Sequence, residues 1–307
     1  MSCEIRDCLI PELLPKPFEI YIFEMKKSNI AIPATLLAII CVQGGASIAK
    51  QLFPAIGAIG TVTLRIVLSA VLLTLINRPK FLQFNSQKWK YCAMYGVGLA
   101  AMNLIFYMAI QRIPLGLAVT VEFAGPLFLA LALSRKLLDV IWALLACLGI
   151  LLIVPWHNDH VDLIGLGLAF LAGMFWAVYI IMGGKVSKIM DGKDAVTTGM
   201  IFASLVIIPF TIWDGAVFNL TPTIFVKGLG VASLSSALPF SLEIMALKRL
   251  PAKTFSILMS LEPAFAALSG LVFLAEELSF LQWISIACVI AASIGTTVFN
   301  KKSLSHD

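Results

Sequence analysis

Apolar residues fill the chain in runs of about twenty positions, interrupted by short clusters of charged and turn-forming residues. Ten such runs can be drawn, at 30–49, 57–76, 90–111, 115–133, 138–155, 162–182, 195–213, 224–247, 253–274 and 280–299. Most have no polar back, which a helix of a soluble bundle needs in order to face water. The short segments of apolar–polar alternation that mark an outer-membrane barrel are absent. The pattern therefore predicts an all-α integral membrane protein of ten transmembrane helices. The connections are short, so no soluble domain is inserted.

Two stretches of the pattern echo each other. Met108, Ala109, Arg112, Pro114 and Pro126 match Met245, Ala246, Arg249, Pro251 and Pro263 at one constant offset. This predicts two copies of one unit, 30–155 and 162–299, each with five spans. An odd number of spans sends the second copy into the membrane from the opposite side, so the repeats are inverted, an arrangement recurrent in secondary transporters. Basic residues test the assignment. With the N-terminus inside, the inner loops and flanks collect Lys26, Lys27, Arg78, Lys80, Lys88, Lys90, Arg135, Lys136, Lys185, Lys188, Lys193, Lys248, Arg249, Lys253, Lys301 and Lys302. The outer edges hold only Lys50, Arg112 and Lys227, so both termini, including the tail 300–307, are expected on the cytoplasmic side. Residues 1–28 are mixed and polar and do not resemble a signal peptide. Met25-Lys26-Lys27 has the look of a natural start, with the residues before it an over-extended start or a disordered tail. The sequon Asn219-Leu220-Thr221 falls on an outer loop.

Composition narrows the function classes. Hydrophobic residues make up 60% and charged residues 13%, with a mean hydropathy of +0.97. That is too little polar surface to cover a soluble globule. The net charge of +5 is spread over loops, so no nucleic-acid partner is expected. Of the six cysteines (Cys3, Cys8, Cys41, Cys92, Cys147 and Cys288) four lie in apolar runs and none forms a CxxC pair. Free thiols are expected, without metal site or disulfide framework. His157, His160 and His306 all lie in loops or the tail, which excludes a histidine relay inside the membrane. No GxxxxGK[ST], HExxH or GxSxG motif occurs, so neither a phosphate-loop ATPase nor a cofactor is expected.

Four stretches carry a likeness to a known family. They are Gln43 to Lys50 (QGGASIAK), Pro114-Leu115-Gly116 with Val121-Glu122-Phe123 and Gly125-Pro126-Leu127, Ser236 to Glu243 (SALPFSLE), and Leu258 to Ala264 (LMSLEPA). They resemble the threonine and homoserine exporters of the EamA-type branch of the drug/metabolite transporter superfamily. The likeness runs from about residue 30 to 300, and residues 1–28 lie outside it. It implies ten helices in two inverted five-helix repeats, a bacterial inner-membrane location, and export of small neutral amino acids driven by the proton gradient.

A zwitterionic amino acid needs an acceptor for its ammonium and a donor for its carboxylate, both shielded from lipid. Charges within the spans are costly, roughly 2.5–3.5 kcal/mol each on insertion scales, and they are few: Arg65, Glu122, Glu243 and Glu262, with Lys50 at the end of the first span. Glu122, Glu243 or Glu262 can take the ammonium, and Arg65 or Lys50 the carboxylate. The same glutamates are candidates for exchanging the proton. Each has a structural alternative. Glu262 can bond backbone groups freed around Pro263, and Glu243 can pair with Lys248 and Arg249. Lys50 can snorkel outward, and Arg65 can lock two helices by pairing with a glutamate. Gln43, inside the resembling motif, is a further candidate for substrate or proton, and Asn103 for the cavity wall; with Gln111 they can equally serve helix–helix bonds. Gly44-Gly45 and Ser233 to Ser236 with Pro239 permit close approach or an irregular segment beside a cavity. Trp176 and Tyr179 are deep enough to wall that cavity, whereas Trp156 and Trp283 read as interface anchors. Glu276-Glu277 reads as capping the next turn or facing water.

The chain is thus expected to be a proton-coupled exporter of threonine and homoserine, not an enzyme. Its rivals are an exporter of another metabolite or drug on the same fold, an intramembrane enzyme, and a non-transporting scaffold. The second would need a nucleophile or metal constellation at membrane depth, which the spans do not offer.

Overall fold

The computed structural model describes residues 16–132, 137–153, 162–215, 220–239, 242, 246, 255 and 258–299. Among these residues there are helices and turns and no strand. The helices are α1 (Lys16–Lys50), α2 (Phe53–Asn77), α3 (Ser86–Ile110), α4 (Leu115–Glu122), α5 (Ala124–Ala132), α6 (Leu137–Ile153), α7 (Leu163–Ser187), α8 (Gly192–Asp214), α9 (Pro222–Ala232), α10 (Glu262–Leu274) and α11 (Phe280–Phe299). Ile30–Lys50 of α1, together with α2, α3, α7 and α8, are long and apolar enough to cross a membrane. Leu115–Leu129, Val140–Ile150, Glu262–Leu274 and Phe280–Gly295 are shorter apolar helices.

Local chemistry sets the boundaries. Asn85, Asp162, Asp191 and Thr221 each stand before a helix and accept its first free N–H groups, the Asn85 side chain taking Lys88 N–H at 2.9 Å. Pro54 and Pro222 open α2 and α9, where a missing N–H costs nothing. Helix α1 already begins at Lys16, ahead of its apolar run.

Three of the expected spans are not continuous. The run 115–133 breaks at Phe123 into α4 and α5, and the run from 224 passes from α9 into a π-helical turn at Ser233–Ala237. In the run from 253, Ser260 and Leu261 form a turn directly before α10 begins at Glu262. Phe123, Ser235 and Glu262, one residue at each break, line the same cavity.

Helices of the first half pack on helices of the second. Helix α1 rests on α10, α9 and the π turn; α2 on α8, α9 and the π turn; α3 on α7 and α8. Helices α4 and α5 rest on α7, α4 also on α10, and α6 on α11. The α5–α7 crossing leaves no room for a side chain: a Cβ on Gly125 would lie 1.8 Å from the Gly173 carbonyl, and one on Gly173 would lie 2.3 Å from the Glu122 carbonyl. The shared core is aliphatic and aromatic, with Ile66, Tyr107, Ile110, Leu117, Met200 and Ile207 fully buried. Conversely Leu75, Ile76, Leu144, Leu205, Ile212 and Val272 point outward and are exposed. That is an expensive surface in water and an ordinary one in hydrocarbon.

Candidate functional site

A cavity of about 410 Å³ lies at the centre, walled by residues of both halves. Most of its lining is apolar, including Leu99, Met102, Phe123, Trp176, Met200 and Met259. The polar groups on its wall are few: Arg65, Asn103, Tyr179, Ser235, Glu262 and Ser293. An apolar pocket with a few placed polar groups is the general form of a small-molecule site.

Arg65 comes from the middle of α2 and is part-buried. Its Nη2 donates to the Ser235 carbonyl at 3.1 Å and its Nη1 to the Tyr107 hydroxyl at 3.3 Å, while Nε reaches Ser236 Oγ at 3.5 Å. The guanidinium also stands over the Tyr107 ring, 5.5 Å from its centroid. All these partners are neutral. The ion pairs among the described residues are Lys50–Glu276 and Arg112–Asp162, and neither includes Arg65.

Glu262 opens α10 directly before Pro263 and is buried on the cavity wall. Glu122 ends α4 and is also buried, within electrostatic range of Glu262 and Arg65, but it stands behind the wall. Its carbonyl is the group packed on Gly173. Asn103 lines the cavity and donates from Nδ2 to the Leu99 carbonyl at 2.8 Å. Tyr179 lines it too and receives a hydrogen bond from the Tyr95 hydroxyl at 2.9 Å, their rings 4.7 Å apart. Trp176 closes the wall beside Phe123, ring centroids 5.0 Å apart and edge to face.

Other sequence candidates lie elsewhere. Gln43 is buried on α1 next to the lining residue Val42 and is not itself on the wall. Lys50, at the end of α1, pairs with Glu276 at 2.5 Å and donates to the Ile113 carbonyl at 3.0 Å. The second oxygen of Glu276 accepts the Leu115 N–H at 2.7 Å, capping α4 from across the bundle. Glu276 thus faces neither water nor the next turn, as its sequence neighbourhood implied. Glu243, Lys248, Arg249 and Trp156 lie outside the described residues. Tyr107 was not singled out from the sequence, because an aromatic inside an apolar run reads as packing. The clustered serines with Pro239 were the signal for the π turn, and Ser235 and Pro239 both reach the cavity. The Ser235 hydroxyl is buried and has no hydrogen-bond partner among the described residues.

At the bundle end that holds Lys50, Arg112 Nη1 donates to Asp162 Oδ2 at 2.7 Å. The Arg112 hydrogen bond, aided by the Ile164 and Gly165 N–H groups, holds the Asp162 carboxyl below the usual aspartate range.

Comparison with known proteins places this geometry. The model of the EamA-like transporter family matches residues 163–298. The threonine/homoserine exporter RhtA of Escherichia coli (strain K12) is 42% identical over 289 residues, covering 91% of this chain and 95% of that one. The threonine/homoserine exporter RhtA of Salmonella typhimurium (strain LT2) is 42% identical over 272 residues, covering 86% and 90%. One protein of known crystal structure superposes with a TM-score of 0.56 at 14% identity, over 89% of this chain and 97% of that one, a likeness of fold alone.

Proposed function

This chain belongs to the EamA-like transporter family, and from that premise we propose that it exports threonine and homoserine across a bacterial inner membrane in exchange for protons. A transporter of this family is a multi-pass membrane protein, and its work is translocation, not catalysis. One observation carries the substrate reading: a cation with only neutral hydrogen-bond partners, Arg65, and an acid, Glu262, face one cavity. The two charges complement a zwitterion. Arg65 presents a fork to the carboxylate, and Glu262 accepts the ammonium. The names of the 42%-identical relatives supply the choice of amino acid.

Proton exchange follows from the same acids. Glu262 touches the cavity and Glu122 stands behind it, close enough for the charge of one to oppose that of the other. A proton arriving on Glu262 removes the partner of the ammonium and releases the substrate. Glu122 receives that proton when the cavity next fills.

The ten-helix, inverted-repeat reading is supported by the packing. Exchanging α1 with α7, α2 with α8, α3 with α9 and its π turn, α4–α5 with α10, and α6 with α11 maps the larger contacts between the halves onto one another. The α2–α8, α4–α10 and α6–α11 contacts are their own images. Those of α3 with α7 become those of α9 and the π turn with α1, and those of α4–α5 with α7 become those of α10 with α1. The distribution of basic residues supports cytoplasmic termini.

A second reading rests on size. A cavity of about 410 Å³ lies within the ~300–1,000 Å³ range of pockets for drug-sized ligands, which favours a larger metabolite. Uptake of labelled threonine into inside-out vesicles, with and without an imposed proton gradient, separates the two. Gradient-driven accumulation that homoserine competes away supports amino-acid export. No accumulation in vesicles holding folded protein favours the larger substrate.

A further inference from the structure

The π turn at Ser233–Ala237 closes with the Leu238 N–H on the Ser233 carbonyl. In an α-helix the Ser235 carbonyl would take the N–H four residues on. That position is Pro239, which has no N–H to give. Arg65 Nη2 donates to the Ser235 carbonyl at 3.1 Å, from a helix on the other half of the molecule. Ser235 and Pro239 both line the cavity that Arg65 faces. On the other side of the guanidinium, the fully buried Tyr107 offers a hydroxyl and a ring face.

We propose that Pro239 is a positioning residue: by withholding a helix N–H it reserves the Ser235 carbonyl for Arg65, and so aims the guanidinium at the substrate carboxylate. The proposal rests on the reading of the cavity as an amino-acid site. The arrangement uses backbone, so it holds Arg65 without a carboxylate hydrogen-bonded to it, Glu122 acting on it only through space. A carboxylate in the same place would neutralise the guanidinium and compete with the substrate. A carbonyl holds it and leaves its charge for the ligand.

Pro239→Ala supplies the missing N–H. Alanine is a good helix former, so the fold is not expected to suffer. The test is threonine transport by purified protein in proteoliposomes, with L-threoninol, the amino alcohol that lacks the carboxylate, as competitor. Thermal unfolding in detergent is followed alongside. In Pro239→Ala the KM for threonine rises about five- to tenfold, as the loss of one hydrogen bond to a charged group allows, while the maximal rate stays within about twofold. The inhibition constant of L-threoninol does not move, and the melting temperature is unchanged or higher. In an Arg65→Lys background, which keeps the cation without its fork, the same substitution leaves KM where it was. An unchanged threonine KM in the single variant overturns the proposal. So does an equal weakening of threonine and L-threoninol, or an undiminished effect beside Arg65→Lys, since Pro239 would then act on the cavity at large. Wild-type protein that neither transports nor binds threonine overturns the amino-acid reading, and the proposal with it.

Discussion

Arg65 and Lys50 are both cations set into apolar helices of the first half, and the bundle treats them in opposite ways. Lys50 meets a carboxylate: Glu276 stands 2.5 Å away and spends its other oxygen on the Leu115 N–H. The two side chains keep only 20% and 13% of their exposure, so the pair ties the ends of α1, α4 and α10 with its charges cancelled. Arg65 hydrogen-bonds a carbonyl, a phenol and a serine hydroxyl and, among the described residues, no carboxylate, and in the proposed function its charge serves the ligand. A charge cancelled within the protein holds the structure together. A charge solvated by neutral dipoles beside a cavity is a receptor.

The strongest challenge to this contrast is to remove each cation in turn. Arg65→Gln, or Glu262→Gln in the same cavity, is expected to cut threonine transport at low substrate roughly 10- to 100-fold, the worth of a charge-assisted bond to the ligand. The folded state, read by thermal melting, should survive, since neutral partners can be kept by glutamine. A Lys50→Met variant should behave in reverse. It strands the half-buried Glu276 and lowers stability by about 1–3 kcal/mol, measured by chemical unfolding in detergent. Its threonine KM should stay within about twofold. A KM shift in Lys50→Met as large as that in Arg65→Gln would erase the distinction.

A finer cut falls between the two acids. Glu122→Gln leaves the cavity wall untouched, so counterflow of threonine without a gradient should fall by no more than about twofold, a few tenths of a kcal/mol. Gradient-driven accumulation in the same vesicles should be lost. Loss of both activities together would place Glu122 in substrate binding.

The smallest effect is expected at Arg112 and Asp162, a pair that resembles Lys50–Glu276 on paper but faces water. Arg112 lowers the Asp162 pKa in the folded protein. The contribution is therefore complete at neutral pH and fades only as the pH falls through the depressed value, below the usual aspartate range. Arg112→Gln should shift the melting temperature slightly at pH 7 and not at all in strong acid, as a melting series over pH would record.

The spans in α1, α2, α3, α7 and α8 were legible because a long apolar run with polar ends has few other readings. The break at Phe123 was not, since the residues from Leu115 to Leu127 are apolar on both sides of it and only Thr120 and Glu122 interrupt them. Arg65, Asn103, Trp176, Tyr179 and Glu262, which the structure brings to one cavity, are conspicuous in the sequence because polar or aromatic groups at depth stand out against apolar runs. Lys50 is equally conspicuous and sits elsewhere. The difference lies in partners 226 and 42 positions away, Glu276 and Tyr107, which no local pattern could supply. Pro239 sits between these extremes. Its effect on the Ser235 carbonyl is a rule of spacing that can be read from sequence, but the donor that fills the gap arrives from the other half.

The Gly125–Gly173 crossing has a consequence for anyone wishing to retune the transporter. A mutagenesis library over the cavity can vary Met102, Met200 and Met259 freely, since methionine walls absorb changes of shape. At Gly125 and Gly173 even one added carbon meets backbone, so those two positions offer such a library only inactive clones. The α5–α7 contact admits no added side chain, and new substrate ranges will have to be found on the other walls of the cavity.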